Sequence, residues 1–167
     1  MPTDWVRGYA RQADADFRAW ELYADHPEAV AAECHRLLFL QMACEKLCKA
    51  WLIQGGTTPE SLRTSHAYVA KHLSVIIRER ILDSRPHLKG MSWVLRRVRH
   101  WANEIEVLNP AVDRNGQRPD NCEYPWEVGD GTILSPLEHS FEPSNLLTDA
   151  TGRTFLKLVR DAINRLL

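Results

Sequence analysis

Residues 34–56 read CHRLLFLQMACEKLCKAWLIQGG, and this stretch decides the fold. It holds no proline, and its two glycines, Gly55 and Gly56, come at its end. Leucine, alanine, cysteine and methionine recur over a wide face, which is typical of a helix that is buried on most sides. Glycine commonly follows the last helical residue. We therefore predict a central helix from about residue 28 to residue 54.

Four further segments repeat apolar residues at spacings of three and four, which predicts amphipathic helices. These segments are residues 3–25, 65–82, 91–108 and a last one that starts at 143 or 149 and runs to 167. No segment shows a convincing strand pattern. Since short links favour antiparallel neighbours, we predict an all-α, up-and-down bundle of about five helices in a single domain, residues 1–167.

Residues 110 to about 145 interrupt the helical pattern with five prolines and three glycines. Irregular segments of this length are uncommon in compact domains. We predict one long irregular loop here. Its aromatic residues Tyr124, Trp126 and Phe141 indicate that part of it packs onto the bundle. The alternative role for Tyr124 and Trp126 is a platform for a ligand or a partner, and we favour anchoring.

The formal net charge of the 167 residues is -1, so no global attraction to nucleic acid or membrane follows. No apolar run approaches the length of a membrane span. The first residues are polar and acidic, unlike a signal peptide. We expect a cytoplasmic protein without membrane contact. No phosphate-binding glycine loop, Ser-His-Asp pattern or dinucleotide-binding fingerprint occurs in the sequence.

Cysteine spacing raises the question of a metal site. Cys44 and Cys48 lie one helical turn apart, and His66 or His72 would complete a zinc site with them. Closed zinc sites usually place cysteines in short turns, whereas these two lie among leucine, alanine and methionine. We therefore predict core cysteines and no metal or other cofactor. For His66, which lies at a predicted helix start, we expect a local hydrogen bond.

Residues 78–100 form a basic stretch. Seven lysine and arginine side chains against two acidic ones give it a local charge of +5, whereas residues 1–30 sum to −3. Such a patch can bind RNA phosphates. The alternative, which we favour from the residues alone, is a solvated face that pairs with the acidic first helix. The candidate nucleic-acid-binding residues are Arg78, Arg85, Lys89, Arg96 and Arg97.

Several motifs, taken in order, resemble those of the HEPN family. The central helix resembles the second HEPN helix through Ala43, Glu45, Lys46, Leu47, Lys49, Ala50 and Leu52. SHAYVAKHL at residues 65–73 resembles the start of the family's next helix. EIEVLNPAVDR, followed by CEYPWE, resembles its helix end and its Tyr-Pro motif, here Asn109, Pro110, Tyr124 and Pro125. The resemblance covers nearly the whole chain.

This resemblance implies a HEPN-like bundle that usually dimerises and has a role around RNA. The family includes ribonuclease toxins, defence effectors and inactive relatives that bind nucleotides or proteins, many of them paired with a nucleotidyltransferase. We therefore expect a homodimeric, non-catalytic RNA- or nucleotide-associated module in a bacterial defence or toxin–antitoxin setting. A nucleotidyltransferase-type protein is the expected partner. An adaptor that contacts a protein through the long loop is a further alternative.

Active ribonucleases of the family carry an arginine followed, after four to six residues, by a histidine at the dimer cleft. Arg80 and His87 match this spacing, although Ile81 stands where a polar residue is usual. Arg99 and His100, together with Arg97, are the other candidates. A histidine can transfer protons near neutral pH, and an arginine can stabilise the charged transition state. The alternative function is therefore a metal-independent endoribonuclease.

Overall fold

Helices make up most of the chain in the computed structural model. It describes residues 3–26, 32–63, 65–84, 92–112 and 118–167, and of residues 80–84 only the backbone. Within these ranges the helices are α1 (Asp4–Asp25), α2 (Glu33–Gln54), α3 (Pro59–Leu62), α4 (Val69–Ser84), α5 (Ser92–Glu106) and α6 (Ala150–Asn164). A two-stranded antiparallel sheet, β1 (Trp126–Glu127) and β2 (Ile133–Leu134), and a 3₁₀ helix (Glu142–Leu146) complete the described elements. The predicted all-α helical bundle is confirmed.

The helix α2 is the central helix of the bundle. It packs along α1 and also contacts α4, α5 and α6. Leu40, Cys44 and Leu47 are fully buried on it, and Phe17 of α1 and Phe155 of α6 belong to the same core. A helix surrounded in this way needs apolar residues on nearly every side, which explains the wide apolar face of residues 34–56.

Two helix boundaries differ from the prediction. The third predicted helix was placed from residue 65, but α4 begins at Val69, after a turn at residues 67–68. A short helix, α3, precedes it with Pro59 in its first turn. Four residues are too few to show a helical period, so the count of about five helices missed α3. The predicted start of the central helix at residue 28 lies outside the described residues.

The described part of residues 110–145 is largely irregular, as predicted, but the prediction of no strands needs correction. The described part of this segment contains the β1–β2 hairpin and the 3₁₀ helix. Strands of two residues are too short to show alternation, which is why the sequence did not reveal them. Cys122, Trp126 and Phe141 pack against Ala32, Cys34, Leu37 and Leu108 in a second apolar cluster. Anchoring is confirmed for Trp126, whereas Tyr124 is 60% exposed.

In the part of the chain that the structure describes, no helix combines the length and the apolar character needed to cross a lipid bilayer.

Candidate nucleic-acid interface

The structure describes only some of the predicted site residues. Arg78 is exposed on α4, and Arg96, Arg97 and Arg99 are exposed on α5, next to the half-buried His100. Arg80 lies in α4, but its side chain is outside the described part of the structure. His87, Arg85 and Lys89 lie outside the described residues altogether. The pairing of Arg80 with His87 therefore stays a prediction.

The helix α5 has one buried and one solvent-facing side. Val94, Val98 and Trp101 enter the core. Arg96 and Arg99 lie on the opposite side, three residues apart and thus neighbours on the helix surface. Among the described residues, neither of these two arginine side chains forms an ion pair. Their guanidinium groups are available to an external anion.

Arg97 and His100 contact acidic side chains of the segment that leads into α6. The Arg97 guanidinium lies 3.3 Å from an Asp149 carboxylate oxygen and 5.4 Å from the centre of the Trp101 ring. His100 Nε2 lies 2.5 Å from Glu142 Oε1. We call Arg96, Arg97, Arg99 and His100 the α5 basic surface. Two of its members are fixed by carboxylates, and the other two are free of described ion pairs.

Asp149 has a second role, as the N-cap of α6. Its carboxylate accepts hydrogen bonds from the backbone N–H groups of Thr151 and Gly152, as well as from the Thr151 hydroxyl. The hydrogen bond from the Thr151 side chain is the main cause that lowers the pKa of Asp149 to about 2. The carboxylate is therefore ionised at neutral pH, and it ties Arg97 of α5 to the start of α6.

The acidic residues of α1 have partners on other helices. Asp14 Oδ1 lies 2.5 Å from the Arg160 guanidinium, which also pairs with Glu21. Asp16 pairs with Lys46 of α2. In the described residues, the carboxylates of Asp14, Asp16 and Glu21 therefore pair within α1 or with α2 and α6, and not with α5. These contacts do not show the predicted pairing between the first helix and the described part of the basic stretch.

A polar cluster around Glu45 joins three parts of the bundle. Glu45 of α2 is buried, and its carboxylate lies 2.7 Å from Lys49 Nζ and 3.2 Å from His66 Nδ1. It also accepts hydrogen bonds from Gln41 Nε2 at 3.0 Å and from Asn109 Nδ2 at 3.4 Å. The His66 carbonyl accepts the expected local hydrogen bond, from the Tyr68 backbone N–H at 3.0 Å, while its side chain contacts Glu45 of α2. Because the carboxylate is surrounded by donors, its role is to hold these elements together.

The cysteines of α2 are core residues, as predicted. Cys44 and Cys48 are fully buried. Burial raises the pKa of the Cys44 thiol to about 12 and that of Cys48 well above its usual value. Both thiols are therefore neutral at physiological pH, and neither is a good nucleophile. The described residues contain no group of three or more His, Cys, Asp or Glu side chains arranged to hold a metal ion.

The chain was also compared with known proteins. It matches no protein-family model, no curated protein and no solved structure. The chemistry of its exposed side chains makes the α5 basic surface the candidate binding site. This surface combines exposed cations, on a helix packed into the core, with a histidine and an arginine that contact carboxylates.

Proposed function

We propose that this chain is a HEPN-like, non-catalytic RNA- or nucleotide-binding module and that the α5 basic surface binds phosphate groups. The observation that carries the proposal is the exposed pair Arg96 and Arg99, which has no ion-pair partner among the described residues. Guanidinium groups match phosphate oxygens in charge and in hydrogen-bond geometry. A helix that is packed into the core holds both of them without a further folding step.

The HEPN-like part of the proposal has separate support. Glu45, Lys49, His66 and Asn109 come from three different segments that resemble the family, and they meet in one buried cluster. The resemblance alone supports a homodimer, a nucleotidyltransferase-type partner and a setting in bacterial defence or toxin–antitoxin function. The adaptor alternative would use the exposed Tyr124 of the long loop.

We expect the double substitution Arg96→Gln and Arg99→Gln to weaken RNA binding about tenfold at low salt. If each arginine neutralises one phosphate, the slope of log Kd against log salt should fall by about 1.4, because one contact to a single strand contributes about 0.7. Fluorescence anisotropy with a labelled single-stranded RNA over a range of salt concentrations measures both quantities.

The matched control is Arg7→Gln with Arg11→Gln. These two arginines are exposed on α1, one turn apart, so the control removes the same net charge from another helix. The control protein should bind RNA almost as well as the wild type. Equal loss in both double variants would show that net charge matters and the α5 basic surface does not, which would refute the proposed site.

A metal-independent endoribonuclease is the second candidate, and one contact favours it. The Glu142 carboxylate holds His100 beside Arg99, and a histidine oriented in this way can act as an acid or a base. Because the proposed function is non-catalytic, we expect the wild type not to cleave structured RNAs in the presence of a chelator. If the wild type cleaves RNA and His100→Ala does not, the protein is a ribonuclease and the proposed non-catalytic function is wrong. Loss on His87→Ala would assign the activity to the predicted pair Arg80 and His87.

A further inference from the structure

A large aromatic side chain lies exposed beside the α5 basic surface. Trp93 is 49% exposed in the first turn of α5. It precedes Arg96 by three residues and Arg97 by four, so the three side chains are neighbours on the helix surface. An indole ring left in water loses the free energy that burial would provide, about 25 cal/mol per Å² of apolar surface. The exposed indole of Trp93 therefore offers an apolar face, beside several arginines, that an anionic ligand with a flat ring can cover.

The surroundings of Trp93 are ordered by contacts from α6. Trp93 and Arg97 line a small crevice of about 10 Å³ together with Thr151 and Thr154, so a ligand can cover the exposed indole face but cannot enter the crevice. Arg97 is fixed there by Asp149 and by the Trp101 ring, as described above. The Thr151 hydroxyl donates to Asp149 and the Thr154 hydroxyl donates to the Ala150 carbonyl, so both are engaged within the protein. Arg96 and Arg99 are exposed on the adjacent strip of α5. The site offers a flat apolar face and positive charge within a few residues of α5.

This combination matches an unpaired nucleotide. Proteins that bind single-stranded nucleic acids stack bases on aromatic rings and track the backbone with basic side chains. Arg96 and Arg99 lie about 4.5 Å and about 9 Å beyond Trp93 along the helix axis, given a rise of about 1.5 Å per residue. Bases inside an RNA duplex are already stacked and paired, so they cannot cover the indole. The exposed indole of Trp93 therefore favours single strands, loops or ends.

A second copy of the chain is a poorer match for this surface. A two-fold symmetric contact through α5 would bring Arg96 and Arg99 close to the same residues of the other copy. Like charges that face each other across an interface cost free energy. Charge complementarity thus favours an anionic ligand over self-association at this site.

We propose that the α5 basic surface recognises unpaired RNA, with one base stacked on Trp93. This inference rests on the proposed function, since it names the class of RNA that the same surface binds. The test uses the full chain and two labelled probes, an oligouridylate and a blunt-ended RNA duplex of similar length. Trp93→Leu removes the aromatic face but keeps an apolar side chain, and Trp93→Phe keeps a smaller aromatic ring.

We expect Trp93→Leu to weaken oligouridylate binding roughly 5- to 100-fold, as expected for loss of one stacked base, and to leave duplex binding unchanged. Trp93→Phe should retain most of the affinity. Trp5→Leu is the matched control, because Trp5 on α1 is 48% exposed, nearly as much as Trp93. It should bind both probes like the wild type. The phenylalanine variant keeps the test decisive if the leucine variant folds poorly.

The outcomes separate this inference from the proposed function. If the wild type binds neither probe at low salt, both are overturned. If it binds both probes and Trp93→Leu weakens neither, or weakens both equally, phosphate binding stands and base stacking is refuted. If Trp93→Leu instead converts a dimer into a monomer in light scattering and leaves oligouridylate binding unchanged, the tryptophan covers a second copy and the inference is wrong.

Discussion

Replacing Glu45 by alanine should lower the free energy of unfolding by about 3–5 kcal/mol, which is typical of breaking a buried ion pair from one side. The Lys49 ammonium lies 2.7 Å from this carboxylate, and its side chain is only 8% exposed. Alanine would leave that charge buried with no carboxylate partner among the described residues, only the Tyr68 ring 5.6 Å away, and would remove the acceptor of Gln41, His66 and Asn109. Urea unfolding, followed by circular dichroism, measures the change.

Two further variants show whether the buried charge is the cause. Glu45→Leu combined with Lys49→Met removes both charges and should recover much of the lost stability, because an apolar pair of similar volume often replaces a buried ion pair without cost. Glu33→Ala breaks the pair with Arg36, in which the Glu33 side chain is 43% exposed, and should cost at most about 1 kcal/mol. A loss for Glu45→Ala no larger than for Glu33→Ala would mean that the cluster does not hold the bundle together.

The Glu45 cluster also bears on the α5 basic surface. Asn109 follows the end of α5, and His66 precedes α4, so the cluster holds both helices against α2. We therefore expect the destabilisation to loosen the end of α5 as well as the core. The double apolar variant should bind RNA like the wild type if the cluster acts only through packing, because neither Glu45 nor Lys49 lies on α5.

The helices could be predicted from the sequence because helical periodicity is a local property. In α5 the alternation of Val94, Val98 and Trp101 with charged residues defines both the helix and its solvent-facing side, so the exposure of Arg96 and Arg99 follows from the pattern. The start of α6 was also predictable. Asp149 is a favoured N-cap residue, and its side chain does cap the helix.

Contacts between distant residues could not be predicted in the same way. Arg97 and Asp149 are 52 residues apart, and Glu45 and Asn109 are 64 apart. No periodicity connects such pairs, because their proximity depends on how the helices pack. For this reason the sequence did not show which arginines of the basic stretch are held by carboxylates and which are free. The resemblance named Glu45, Lys49 and Asn109 but not the cluster that they form with His66.

Gly152→Ala should destabilise the protein by about 1–3 kcal/mol, the usual cost of overpacking a core, although alanine favours helix more than glycine does. A Cβ atom on Gly152 would lie 2.3 Å from the Leu146 carbonyl oxygen and 2.8 Å from Leu146 Cα. Both are backbone atoms, so no side-chain rotation relieves the clash. The 3₁₀ helix and the first turn of α6 would have to separate. Thermal and urea unfolding measure the loss.

The same substitution at Gly8 is the control, and it should act in the opposite direction. Gly8 lies within α1, and an added Cβ atom would meet no other atom within 4 Å. Gly8→Ala should therefore stabilise the protein by about 0.5–1 kcal/mol through helix propensity alone. If both substitutions raise the free energy of unfolding, the protein does not have the close contact between Leu146 and Gly152 on which this prediction depends. That contact supports Glu142 and Asp149, which hold His100 and Arg97, so its loss should weaken RNA binding as well as stability.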